Sequence, residues 1–194
     1  MAVTTPPVPS TPTTPSTPSA LPVPAAPPPA PGPDLARIAA DYDRAARAYD
    51  AAAGCLRASV PAAAALEVGE QEAAVLAIAH GCAADYLSRG AQAARDGAER
   101  LRAWAALPAT GPALPDAAVA GAVPSGALSA RWYEEAAGEL YGWVRLLGDD
   151  AEAVAARTGD GALVGDTHPY GDVVFGIVIP YLCQAADILG RLGL

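Results

Sequence analysis

Thirteen of the chain's twenty prolines fall between Met1 and Pro33, a stretch that carries no charged side chain. Proline fixes φ and removes the amide donor, so such a stretch supports neither a helix nor a sheet ladder. It is expected to be a disordered Pro/Thr/Ala-rich tail of polyproline character, reaching up to ~100 Å at about 3.1 Å per residue. Its Pro-Pro-x-Pro run (Pro6 to Pro9) and its cluster from Pro27 to Pro31 match short motifs that dock into aromatic grooves, although a low-complexity linker is the simpler reading. At Asp34 the sequence switches to alanine-rich, charged, helically periodic residues. The chain therefore divides into a tail, 1–33, and a body, 34–194, long enough for one domain with its own core.

Within the body, Asp34 is a suitable N-cap. Leu35, Ile38, Tyr42, Ala45, Tyr49, Ala52 and Leu56 follow it with 3-4-3-4-3-4 spacing, the heptad seam of a helix. Arg37, Asp41, Asp43, Arg44, Arg47 and Asp50 fall on its solvent side. A break is expected at Ser59 and Pro61, then a second helical stretch over 70–107 with two adjacent apolar stripes, one through Leu76, His80, Ala83 and Leu87, the other through Cys82, Tyr86, Gly90 and Gly97. At 1.5 Å per residue this stretch outruns helix 1, so it either breaks at Gly81 or Gly90 or overhangs its neighbours, and a homodimer is the usual remedy for an overhang.

Residues 108–127 form a Pro/Ala/Gly-rich internal loop, read as a crossover, a mobile loop or a lid. A third helix is expected over 128–147, capped by Ser125 or Ser129 and stopped by Gly148. Asp149 and Glu152 then have capping-box spacing for a short helix to Arg157. Residues 158–171 read as loop, and Asp172 as the cap of a last helix kinked at Pro180. Val173–Ile179 is β-branched enough for a strand, but a lone strand has no partner in a helical chain. The expected fold is all-α: an antiparallel, four-helix-bundle-like domain behind a disordered tail.

Twelve Arg, no Lys and twenty-one acids give a net charge of −9. The scarcity of Lys, Asn, Phe and Met, all with AT-rich codons, points to a GC-rich bacterial genome, so the preference for Arg does not signal phosphate recognition. An acidic body disfavours nucleic acid and anionic lipid. The N-terminus lacks a signal peptide's basic and apolar regions. The most apolar stretch, Val173 to Leu182, is shorter than the roughly twenty residues of a bilayer span. A cytoplasmic protein without membrane insertion is expected, its three cysteines, Cys55, Cys82 and Cys183, being reduced thiols.

No motif names a reaction. The Glu-x-x-His pairs of a carboxylate-bridged di-iron bundle are missing, as are phosphate loops, nucleophile elbows and zinc spacings. Glu135 and Glu139 read as a charged face with an ion pair to Arg131 rather than as catalytic acids. No catalytic residue, metal or cofactor is expected. The candidate ligand-binding residues are His80, Cys82 and Tyr86, with His168 in a turn-rich loop, although His80 on an apolar stripe reads first as a hydrogen-bonded core residue. The candidate partner-binding residues are Trp104, Trp132, Tyr141 and Trp143, aromatics on helices otherwise built of small residues. The leading expectation is a non-enzymatic protein-interaction protein with a proline-rich tether. The alternative is a small-molecule-binding or enzymatic bundle with a pocket around His80 and Tyr86.

Overall fold

A computed structural model describes residues 34–105 and 128–194; readings that fall on 1–33 and 108–127, including Ser125, lie outside the described residues. The described chain is all-α and contains no strand. Its helices are α1 (Leu35–Ala64), α2 (Glu70–His80), α3 (Cys82–Ala105), α4 (Ala130–Thr158), α5 (Ala162–Val173) and α6 (Ile179–Arg191), with a π-helical turn, Val174–Val178, joining the last two.

Helix α1 begins as its sequence predicts. The Asp34 carboxylate accepts the amides of Ala36 and Arg37, each at 3.1 Å, and the seam from Ile38 to Leu56 is buried. It does not break at Pro61 but runs on to Ala64. Pro61 and Arg57, whose carbonyl loses its donor, are both exposed residues, where an unmade backbone bond costs least. Ser59 lies just inside, buried, donating to the Cys55 carbonyl at 2.9 Å.

The long second stretch does break, at Gly81, whose ψ of −77° departs from helical geometry. Cβ at this position would lie 3.0 Å from the Ala77 carbonyl oxygen, a tight approach that favours glycine at the break. Beyond it, α3 packs on α1 in an antiparallel register set by two tyrosines and two glycines. Tyr42 lies on Gly97, where a Cβ would come within 2.7 Å of the ring, and Tyr49 lies on Gly90, at 3.1 Å. Ion pairs Asp43–Arg102 and Asp50–Arg95 flank them one heptad apart. Tyr42 is tied down at its far end: its hydroxyl donates to the Leu147 carbonyl at 3.3 Å and meets the Thr167 hydroxyl at 2.9 Å. Burial pushes the phenol pKa up to about 12, the Thr167 bond opposing it in part.

Two expectations on α4 and α5 are corrected. Gly148 does not stop the third helix, and no capping box forms at Asp149; one helix runs from Ala130 to Thr158 and ends at Gly159, in the left-handed region at φ 73°. The stripe Tyr133, Ala137, Leu140 continues in step through Leu147, Ala151 and Val154, all buried, and this burial holds Gly148 in the helix. Residues 162–173 are helix rather than loop, started by Asp160, whose carboxylate accepts the Ala162 amide at 2.8 Å. Asp172 is therefore inside a helix and caps nothing.

Val173–Ile179 is helical, as preferred over a strand. A π turn stands immediately before Pro180, with the Ile179 amide donating to the Val174 carbonyl five residues back. Pro180 thus follows directly on the π turn, at the start of α6. Joined end to end, Ala162–Arg191 is long and apolar enough to cross a membrane by length and composition, contrary to the shorter stretch read from sequence, with 39% of its most apolar window buried.

Asp41 also departs from its expected solvent position. It is buried, as is Asp150 on α4. Arg37 bridges the two, donating to Asp150 at 2.8 Å, and Arg44 also pairs with Asp41. Buried carboxylates require such partners, and here they clasp α1 to α4.

Candidate functional site

His80 is the last residue of α2 and is only 2% exposed. Its Nδ1–H donates to the Leu76 carbonyl at 2.6 Å, the only role a carbonyl partner allows, so Nε2 carries the lone pair and accepts the Tyr133 hydroxyl of α4 at 2.5 Å. Burial lowers the imidazole pKa below 6.5, with the Leu76 carbonyl opposing, and keeps the ring neutral. Burial raises that of Tyr133, Ser59 opposing it by hydrogen bonding. Both histidine nitrogens are occupied, leaving no lone pair for a metal or a substrate proton. His80 acts as a strut between α2 and α4.

Beside this strut lies an apolar pocket of about 260 Å³ between the end of α1 and α2, lined by Val60, Ala63, Leu66, Val68, Leu76 and the His80 ring among others. The other candidate ligands are elsewhere. Cys82 is exposed at the start of α3, turned away by the break at Gly81, and Tyr86 is half-buried against the core; neither lines the pocket. His168 lies on α5, its Nε2 3.9 Å from Glu152, in a groove of about 220 Å³ that also holds Asp149, Asp172 and Phe175. Among the described residues no three potential ligands converge in a metal-binding geometry.

The four aromatics proposed for a partner separate into different environments. Trp132 is buried, set edge-on to Tyr133 with ring centroids 4.8 Å apart, and its indole N–H has no hydrogen-bond partner among the described residues. At 4% exposure it is core and unavailable to a partner. Trp143 is half-buried against the core and donates to Glu139 at 3.4 Å. Trp104 is exposed at the end of α3, and Tyr141 is 43% exposed on α4. Glu135 pairs with Arg131 at 2.7 Å, as its spacing implies.

Sequence reasoning missed Phe175, the chain's single phenylalanine. It is 55% exposed on the π turn and stacks at a tilt on Tyr141, ring centroids 5.9 Å apart. Gly138, Gly142 and Gly176 are exposed as well, and a Cβ on any of them would meet nothing within 4 Å. The result is an aromatic pair standing on a bare helix surface. The signal was present: Phe175 lies off the stripe Val174, Val178 and Ala185 that the last helix buries. No protein-family model matches this chain, and no curated protein or solved structure is significantly similar to it.

Proposed function

We propose that this chain is a non-enzymatic helical protein-interaction protein, an adaptor, cargo or assembly component, with the proline-rich N-terminus as its tether. The observation that carries the reading is the Tyr141–Phe175 pair, the two most exposed aromatic rings among the described residues, stacked on one another. At about half exposure each ring forgoes roughly 1 kcal/mol of burial, and exposed aromatics of this kind anchor interfaces. The neutral, fully bonded His80 supports the same reading, because the buried imidazole has no free valence. A photo-reactive benzoylphenylalanine placed at position 175 or 141 of the full chain, in cells expressing it, tests this. Light-dependent protein adducts are expected at both positions and not at exposed Ala103; their absence at all three would overturn the reading.

One observation favours the alternative, a small-molecule-binding body: the apolar pocket beside His80. Its lining would suit a small apolar ligand held without specific polar contacts. Ala77→Trp, which fills the pocket from α2, should abolish the binding of an apolar fluorescent dye if that reading is right, and leave dye binding unchanged if it is not.

A further inference from the structure

Resting on the docking face just described, we propose that its occupant is a second copy of this chain. Two α4 helices cross antiparallel about a twofold axis passing between Glu139 and Leu140. Each Tyr141 then seats on the other copy's Gly138, and each Phe175 flanks the seam.

The exposed face of α4 has the required periodicity. Glu134, Gly138, Tyr141 and Arg145 are all exposed and follow one another at 4-3-4 spacing, with Asp149 a turn further on, so they line one outward stripe of α4 with a large ring and a bare glycine at its centre. Its charges select one register. With Tyr141 opposite Gly138, Arg145 stands opposite Glu134 at both ends of the contact. A slide of three residues one way sets Arg131 against Arg145, and a slide of four the other way sets Glu134 against Asp149, like charges in each case. Arg145 and Glu134 are also free to serve: neither forms an ion pair among the described residues, whereas Arg131 is held by Glu135.

The molecule already contains a contact of this kind. Between α1 and α3, antiparallel helices close by setting Tyr42 on Gly97 and Tyr49 on Gly90, with Asp–Arg pairs alongside. The outer face of α4 has the same parts in self-complementary order, which is what an isologous twofold contact needs.

The test is the mass of the full chain by light scattering as a function of concentration. A one-helix face is at the small end of interface sizes, so a dissociation constant on the order of 10 µM is expected. Above it the mass should approach twice the 19.4 kDa of one chain. Arg145→Glu and Glu134→Arg should each weaken association by more than about tenfold, because each puts like charges together twice. The double variant should restore it to within about threefold, since the pair is merely exchanged. A chain that stays monomeric well above that concentration overturns the proposal, and so does a double variant no better than its parents. A monomeric chain that still gives adducts to another protein from position 175 overturns self-association alone and keeps the docking face. A monomeric chain with no adducts that instead floats with phosphatidylcholine vesicles overturns both.

Discussion

The α1–α3 seam and the outer face of α4 both carry tyrosine, glycine, arginine and acid residues at helical spacing, yet one is closed and the other open. At Gly97 a Cβ would lie 2.7 Å from the Tyr42 ring; at Gly138 it would touch nothing. Heptad spacing therefore identifies faces that can pack but not whether the partner is in the same chain. Among the described residues α1 has α3, while the outward stripe of α4 has no helix against it.

The comparison is broken most severely by Gly97→Ala. The ring it meets is fully buried and fixed at its hydroxyl by Leu147 and Thr167, so it cannot swing aside. Net destabilisation of about 2 kcal/mol is expected, a fall in Tm of about 4–8 °C by thermal circular dichroism.

Next in size is Tyr133→Phe, which leaves the buried Nε2 of His80 without a donor and should cost about 1–2 kcal/mol in urea unfolding. The same strut imposes a pH dependence. His80 is held neutral in the folded chain, its pKa below the 6.5 of an ordinary histidine. As pH falls through about 6.5 the unfolded chain takes up this proton and the folded chain does not. The contribution is therefore fully present above that pH and declines below it, until the folded protein also protonates. Urea unfolding at stepped pH should show this decline in the native chain and a flatter profile in His80→Gln.

Gly138→Ala sharpens the contrast by reversing its sign. With open space around the site, the gain in helix propensity, ~0.8–1 kcal/mol, should appear undiminished as added stability at concentrations that keep the chain monomeric. At high concentration the same variant should associate more weakly, its methyl group occupying the seat of Tyr141. Gly90→Ala, the intermediate case, should change stability by less than about 0.5 kcal/mol. Its Cβ meets Tyr49 at 3.1 Å, but that hydroxyl makes no hydrogen bond among the described residues and the ring borders a small void of about 10 Å³, so the ring can give way.

The all-α class, the start and seam of α1 and the helical state of Val173–Ile179 were legible in the sequence because each depends on local signals: a cap, a 3-4 period, the lack of a strand partner. Local signals misled where tertiary burial outweighed them. Gly148 reads as a stop, but Leu147, Ala151 and Val154 keep the α4 stripe inside, and a left-handed stop was available at Gly159 instead. Pro61 reads as a breaker and Pro169 falls in the 158–171 stretch read as loop, yet both sit exposed within helices. Asp41 reads as solvent-facing because its buried partner, Asp150, is joined to it only through Arg37 and lies on a distant part of the chain. Of the candidate site, His80 was legible as a bonded core residue and Tyr141 as a surface aromatic. Phe175 was overlooked although it lies off the stripe Val174, Val178 and Ala185, because in a run this apolar hydropathy alone does not separate inward from outward residues.

The fit of Tyr42 into Gly97 also constrains how this protein can change over time. Gly97→Ala is costly while Tyr42 stands opposite it and becomes tolerable only after Tyr42 has been replaced by something smaller, such as leucine. The reverse order passes through an unstable intermediate. The two positions are thus open to drift only in one sequence of steps, and descendants of this chain should inherit them as a pair.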